Sequence, residues 1–154
     1  MDSDVYSKLD SALLAVMRVA KKPLYWDDFQ RKAGAQIDRP SAAILMLLGM
    51  RNLQFRELVA KLGIEAPSIS RKVHELEQDG LVAREQTVDR RVHVLSLTTE
   101  GRKLSERIID ARKAMLKEVL VGWSGSEKRL LSEQLVRLAS DLATRYGTKE
   151  ATKI

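Results

Sequence analysis

Near the N-terminus, Val5, Leu9, Leu13, Val16 and Ala20 recur three or four positions apart with polar residues between them. That spacing predicts an amphipathic helix, and Pro23 sets its end. The stretch LYWDDFQRKAGAQID mixes aromatic, acidic and small residues, and its secondary structure stays open. Pro40 then sits near the start of a short helix through AAILMLL, while Phe55, Leu58, Val59 and Leu62 mark another that Gly63 terminates. A third begins near Pro67, turns Ile69, Val73 and Leu76 inward, and ends at Gly80. Only the turn from Gly63 to Ala66 separates the last two. A short helix, a tight turn containing glycine and a second helix make the helix-turn-helix pattern, whose second helix can enter a DNA major groove.

After Gly80 the period changes from helical to extended. LVARE, a loop QTVDR and the run RVHVLSL read as the two strands of a hairpin, after which Thr98 caps the next helix. A hairpin directly after a helix-turn-helix is the winged arrangement. Two long helices finish the chain, one striped by Leu104, Ile108, Ala111, Met115 and Val119, the other by Leu131, Leu135, Leu138 and Leu142. Ser124 and Glu127 form a capping box between them. With the first helix, these stripes exceed what a small winged domain needs for its own core, and the surplus predicts burial against a second subunit. The expected fold is mainly α with a small β-hairpin wing. It forms one domain over residues 1–154, with a winged helix-turn-helix region at about 40–98 between dimerisation helices at about 4–36 and 99–146.

Composition narrows the function classes. The chain has 154 residues and no cysteine, which excludes thiol catalysis, disulfides and cysteine metal sites. Lys and Arg total 27 against 21 Asp and Glu, a net charge of +6 that biases the protein towards polyanionic partners. The start, MDSDVYSKLD, is acidic, and the apolar run Ala12 to Met17 is too short for a signal peptide or a membrane span. A soluble, cytoplasmic protein with no membrane partner is expected. No repeat or Pro/Gly-rich linker divides the chain, and only GTKEATKI, after Tyr146, reads as frayed.

Candidate DNA contacts follow from the helix geometry. If Ile69 points inward, rotation by about 100° per residue puts Pro67, Arg71, His74 and Gln78 on the opposite face, with Ser68 and Ser70 flanking it. The short hydroxyls let the backbone approach closely, and uncapped amides at the helix start suit a phosphate. Arg71 suits base reading because its fork matches both acceptors of guanine, and His74 adds a hydrogen-bonding group. Glu75, Glu77 and Asp79 would repel phosphates, but they lie towards the end that leaves the groove. In the hairpin, Arg90 and Arg91 can reach an adjacent minor groove, with Asp89 as a brace that orients an arginine. A solvated helix face and a solvated turn are the competing readings of these features.

At these positions the sequence resembles the multiple antibiotic resistance regulator (MarR) family of bacterial transcription factors. That family's wing carries D-x-R-x-x-x-L-x-L-T-x-x-G, matched here by Asp89, Arg91, Leu95, Leu97, Thr98 and Gly101. The helix pair LVAKLGIEAPSISRKVHELEQDGLV is similar to its helix-turn-helix, with Ser68, Ser70 and Arg71 where the family often has Ser/Thr, Thr and Arg. The match is good from Pro40 to Gly101 and extends to the flanking helices in length and order. The resemblance implies a homodimeric, ligand-responsive repressor whose outer helices interlock and whose winged domains each read half of a pseudo-palindrome in double-stranded DNA. It also implies a small-molecule effector pocket between the dimer helices and the winged domain, for which Tyr25, Trp26, Phe29 and Trp123 are the candidate lining residues. Asp89 would brace the wing while Arg91, with Arg90, enters the minor groove. Peroxide-sensing members use a reactive cysteine, absent here; metal-sensing members need clustered ligands, and the histidines are only His74 and His93. No metal or cofactor is expected.

An enzyme is disfavoured. Gly122, Trp123, Ser124 and Gly125 lack the residue between Ser and the second Gly, and the preceding strand, that a nucleophile elbow needs. His74 and Glu75 are not followed by a second His at zinc-protease spacing. A winged-helix protein-docking module, or an architectural DNA binder without ligand response, is the alternative, because fold does not dictate function. Apolar residues on the exposed face would indicate docking; Ser68, Ser70, Arg71, Arg90 and Arg91 indicate phosphates and base edges.

Overall fold

A computed structural model describes residues 2–86 and 93–146. In chain order the elements are α1 (Asp2–Lys21), α2 (Pro23–Ala33), α3 (Arg39–Met50), β1 (Leu53–Gln54), α4 (Phe55–Leu62), α5 (Ala66–Gln78), β2 (Val82–Gln86), β3 (His93–Leu97), α6 (Thr99–Val119) and α7 (Gly125–Tyr146). The segment left open from sequence is helical as far as Ala33 and a connection from Gly34 on: Pro23 starts α2, and Phe29 and Ala33 are buried one helical turn apart. Residues 87–92, expected as the loop of the hairpin, and residues 147–154, expected as a frayed tail, lie outside the described residues.

Local chemistry sets the boundaries of the helix-turn-helix. Gly63 takes a left-handed φ of 61° and donates its amide to the Val59 carbonyl at 3.1 Å, ending α4 where a side chain would be strained. After only Ile64 and Glu65, α5 begins, with Pro67 in its first turn, where a missing N–H removes nothing. The hairpin is joined by a third strand that the sequence reading did not contain. β1 pairs antiparallel with β3, Leu53 opposite Leu95, and β2 pairs on the other side, Val82 opposite Leu97, giving the order β1-β3-β2. Leu53 and Leu95 are both buried, so this short strand seals the base of the wing onto the core.

The core runs from Phe29 and Ala33 through Ile44, Leu45 and Leu48 to Leu58, Ile69, Val73 and Leu95, and on to Ile108 and Met115. α6 crosses its back, against α2 and α3. Buried Ser105 of α6 donates its hydroxyl to the Leu45 carbonyl of α3 at 3.0 Å, so the one polar group in that contact is satisfied. Where β3 turns into α6, Thr98 Oγ1 donates to the Gly80 carbonyl at 2.6 Å and accepts from the Gly101 amide at 3.0 Å, while the Thr98 amide reaches the Leu81 carbonyl at 3.1 Å. A Cβ at Gly101 would lie 1.9 Å from the Leu81 carbonyl oxygen, so only glycine fits this corner. Thr98 is thus the cap expected from sequence, and it also binds the end of the helix-turn-helix to the start of α6. Ser124 and Glu127 form the expected reciprocal cap of α7, at 2.7 and 3.2 Å.

Candidate nucleic-acid interface

Ile69, Val73 and Leu76 fix the roll of α5 by burying completely or nearly so. The opposite face is therefore presented to solvent, and Pro67, Ser70, Arg71, His74 and Gln78 are all exposed there. Arg71 has no side-chain partner among the described residues, so its guanidinium is available for a bidentate acceptor. Ser68 is half-buried and donates to the Glu65 carboxylate at 3.0 Å, a bond that a phosphate would have to displace.

The start of α5 carries no side-chain cap. The Ile69 amide closes the first backbone bond to Glu65 O at 3.3 Å, which leaves the Ala66 and Ser68 amides facing outward with the positive end of the helix dipole. An anion suits that position, and the small side chains around it leave room for one.

The carboxylates on the second half of α5 are neutralised by cations. Lys72 Nζ lies 2.6 Å from Glu75 Oε2 and 2.6 Å from Asp38 Oδ2, and Arg84 of β2 clasps Glu77 at 2.8 and 3.3 Å. Asp38 also caps α3, accepting from the Ser41 amide at 2.8 Å. Burial alone would raise the Asp38 carboxyl, but the hydrogen bonds from Lys72 and Ser41 outweigh it and hold the group below its usual value. The same contacts, Asp38 first and then Glu75, raise the Lys72 ammonium. Sequence reasoning missed the ties of Lys72 to Asp38 and of Glu77 to Arg84 because their partners lie on different elements that no periodicity links; Lys72 and Glu75 are neighbours on α5 itself.

Of the wing residues expected at DNA, Asp89, Arg90 and Arg91 fall outside the described residues. β2 and β3, which lead to and from them, are in register from Val82 opposite Leu97 to Gln86 opposite His93. His93 is half-buried at the start of β3, and its Nδ1 has no hydrogen-bond partner among the described residues.

The aromatic candidates divide. Trp26 and Phe29 stack with centroids 4.5 Å apart, Trp26 Nε1 donates to the Ile37 carbonyl at 3.1 Å, and the Arg39 guanidinium sits 5.0 Å over the Trp26 ring. Tyr25 packs against the same core, whereas Trp123 stands apart in the α6–α7 connection, 43% exposed. A separate cleft of about 150 Å³ opens between the α2–α3 connection, the second half of α5 and Leu104 of α6, floored by Ile37, Leu76 and Leu81. Asp38, Glu75 and Asp79 stand at its edge, and the four aromatic candidates are not among its lining residues.

Known proteins share both the pattern and the fold. The MarR family pattern matches residues 35–92, from the α2–α3 connection through β2 to the residue before β3. The HTH-type transcriptional regulator FarR of Neisseria gonorrhoeae is 36% identical over 103 residues, covering 64% of this chain and 68% of FarR. The chain belongs to the MarR family. It spans 53% and 56% of the lengths of two HTH-type transcriptional regulators of Bacillus subtilis that it also matches. In three dimensions it is similar to a MarR family protein from Bacillus stearothermophilus at a TM-score of 0.79 and 24% identity, covering 93% of this chain and 99% of that one. FabT of Streptococcus pneumoniae, solved in complex with DNA, superimposes at a TM-score of 0.71 and 19% identity, over 90% of this chain and 98% of FabT. MarR proteins thus share the frame described above: a winged helix-turn-helix preceded by α1 and α2 and followed by α6 and α7.

Proposed function

We propose that this protein is a homodimeric DNA-binding regulator, acting as an effector-responsive repressor on a pseudo-palindromic operator. The observation that carries the reading is the outer face of α5. It is exposed, uncapped at its start, lined by small and polar side chains, and centred on an Arg71 without a partner among the described residues. A docking surface for protein would carry apolar anchors there instead. In the mode this face supports, phosphates sit at the amides of Ala66 and Ser68 with Ser70 beside them, Arg71 takes a base edge with His74 next to it, and Arg90 and Arg91 reach the minor groove. A protein of this fold, FabT, has been solved in complex with DNA, which supports a DNA-binding reading.

Dimer formation is supported by the apolar residues of α1 and α7 that stay exposed among the described residues, Leu9, Leu13, Leu135 and Leu142 with them. Two winged domains related by a two-fold axis would meet half-sites about 10 bp apart, centre to centre. For effector response, the cleft beside Asp38 and Leu104 adjoins the second half of α5, so an occupant there would act on the recognition helix itself. At about 150 Å³ it suits a small molecule rather than a drug-sized one.

The test is selection of bound sequences from a random duplex pool at near-physiological salt, beside the Arg71→Ala variant. A pseudo-palindrome that the variant blurs at one position per half-site, with an affinity loss of about tenfold, is the expected result. Enrichment of nothing by the unaltered protein would leave the docking or architectural reading in its place.

A further inference from the structure

The two ion-pair ties on α5 stand on opposite sides of its buried stripe. With Ile69 as origin and about 100° per residue, Lys72 and Glu75 fall about 60° and 120° to one side, and Glu77 about 80° to the other. Arg71, Pro67, His74 and Gln78 lie on the far side from Ile69. One tie runs to Asp38 at the start of α3; the other runs to Arg84 on the wing strand β2. Apolar packing of Ile69, Val73 and Leu76 is non-directional, and by itself it tolerates some rolling of the helix. Directional contacts on both flanks do not. A roll of roughly 10° about an axis some 5–6 Å from the reading side chains would displace them by about 1 Å, enough to spoil a bidentate base contact.

We infer that Lys72 with Asp38, and Arg84 with Glu77, are positioning groups for sequence reading: they set the roll of α5 and its angle to the wing, without themselves touching bases. This inference rests on the DNA-binding reading above. Asp38 and Arg84 keep much of their side-chain surface while Lys72 and Glu77 are partly buried, so each tie has one partner in water and adds little to global stability. Their effect belongs to specificity. Asp38 is also shared with the cap of α3, which places one anchor at the cleft where an effector would bind.

The sign of the charge effect gives a clean test. Glu77→Gln and Asp38→Asn each remove a negative charge near the DNA face, and Asn keeps the cap of α3. If these carboxylates act only through charge, both variants bind every duplex more tightly. If they position α5, affinity for the selected operator falls about tenfold, affinity for a scrambled duplex stays level or rises, and the ratio of the two collapses. The measurement is fluorescence anisotropy of the full chain on operator and scrambled duplexes across a salt series, with thermal unfolding in parallel. Midpoints within about 3 °C of the unaltered protein are expected. The exchange Glu77→Arg with Arg84→Glu should recover at least half of the lost ratio, which a general loss of structure would not allow. An unchanged ratio in both single variants, or a parallel fall on both duplexes, overturns the positioning role while leaving DNA binding intact. Failure of the unaltered protein to distinguish the duplexes overturns both.

Discussion

Leu58, Ile69, Val73 and Leu95 in the winged region lose all their surface to neighbours in the same chain, whereas Leu9, Leu13, Leu135 and Leu142 on α1 and α7 keep about half of theirs. Both sets recur at helical or strand spacing in the sequence, and both read as faces that ought to be buried. Periodicity reports that an element has an apolar face; it carries no information about what covers it. The winged region closes on itself because short turns bring α3, α4, α5 and the sheet into one cluster. α1 touches mainly α2, and α7 leaves its stripe open. One region is a finished core and the other is half of one.

That contrast breaks most visibly at the corner between the two. Gly101→Ala drives a methyl group into the Leu81 carbonyl and should cost about 3 kcal/mol or more, read as a midpoint drop of roughly 6 °C or more in thermal unfolding. A drop under about 2 °C would mean that the corner yields easily. Charge on the open faces should do the reverse. The pair Leu13→Glu with Leu138→Glu should leave the winged core folded by circular dichroism while raising the dimer dissociation constant at least about a hundredfold in sedimentation. Unchanged association would remove these faces from the interface.

The smallest effect is at the start of α7. Ser124→Ala should cost about 1 kcal/mol through loss of the cap. Hydrogen bonds from Ser124, its side chain foremost, hold Glu127 below its usual carboxylate value. The contribution of Glu127 is therefore complete above about pH 4.5 and fades as pH falls through the lowered value. A variant whose acid unfolding curve overlays that of the unaltered protein would show that this cap adds nothing to the fold.

Elements with their own punctuation were legible in the sequence. Gly63, Pro67, Gly80 and Thr98 act on the residues next to them, and the boundaries of α4, α5 and α6 follow. α2 was not legible: its apolar residues Tyr25, Trp26 and Phe29 sit beside Asp27 and Asp28, and only packing on α6 shows which face is inner. β1 was invisible for a plainer reason. Two residues contain no period, and the strand exists only through its pairing with β3. At the candidate site, the exposed face of α5 could be drawn from Ile69 outward because a helix is a fixed screw. The ties of Lys72 to Asp38 and of Glu77 to Arg84 could not, since they depend on the fold bringing in Asp38 and Arg84.

The corner at Thr98 and Gly101 also has a mechanical meaning. It joins the end of the helix-turn-helix to a 21-residue helix through three hydrogen bonds and a backbone contact that admits no side chain, so the junction has no play. A helix of that length is a rod of about 30 Å, and tilting it by about 5° carries its far end through roughly 2.6 Å. Whatever tilts the far end of α6 is therefore geared straight into the end of α5, and the long helix works as a lever on it.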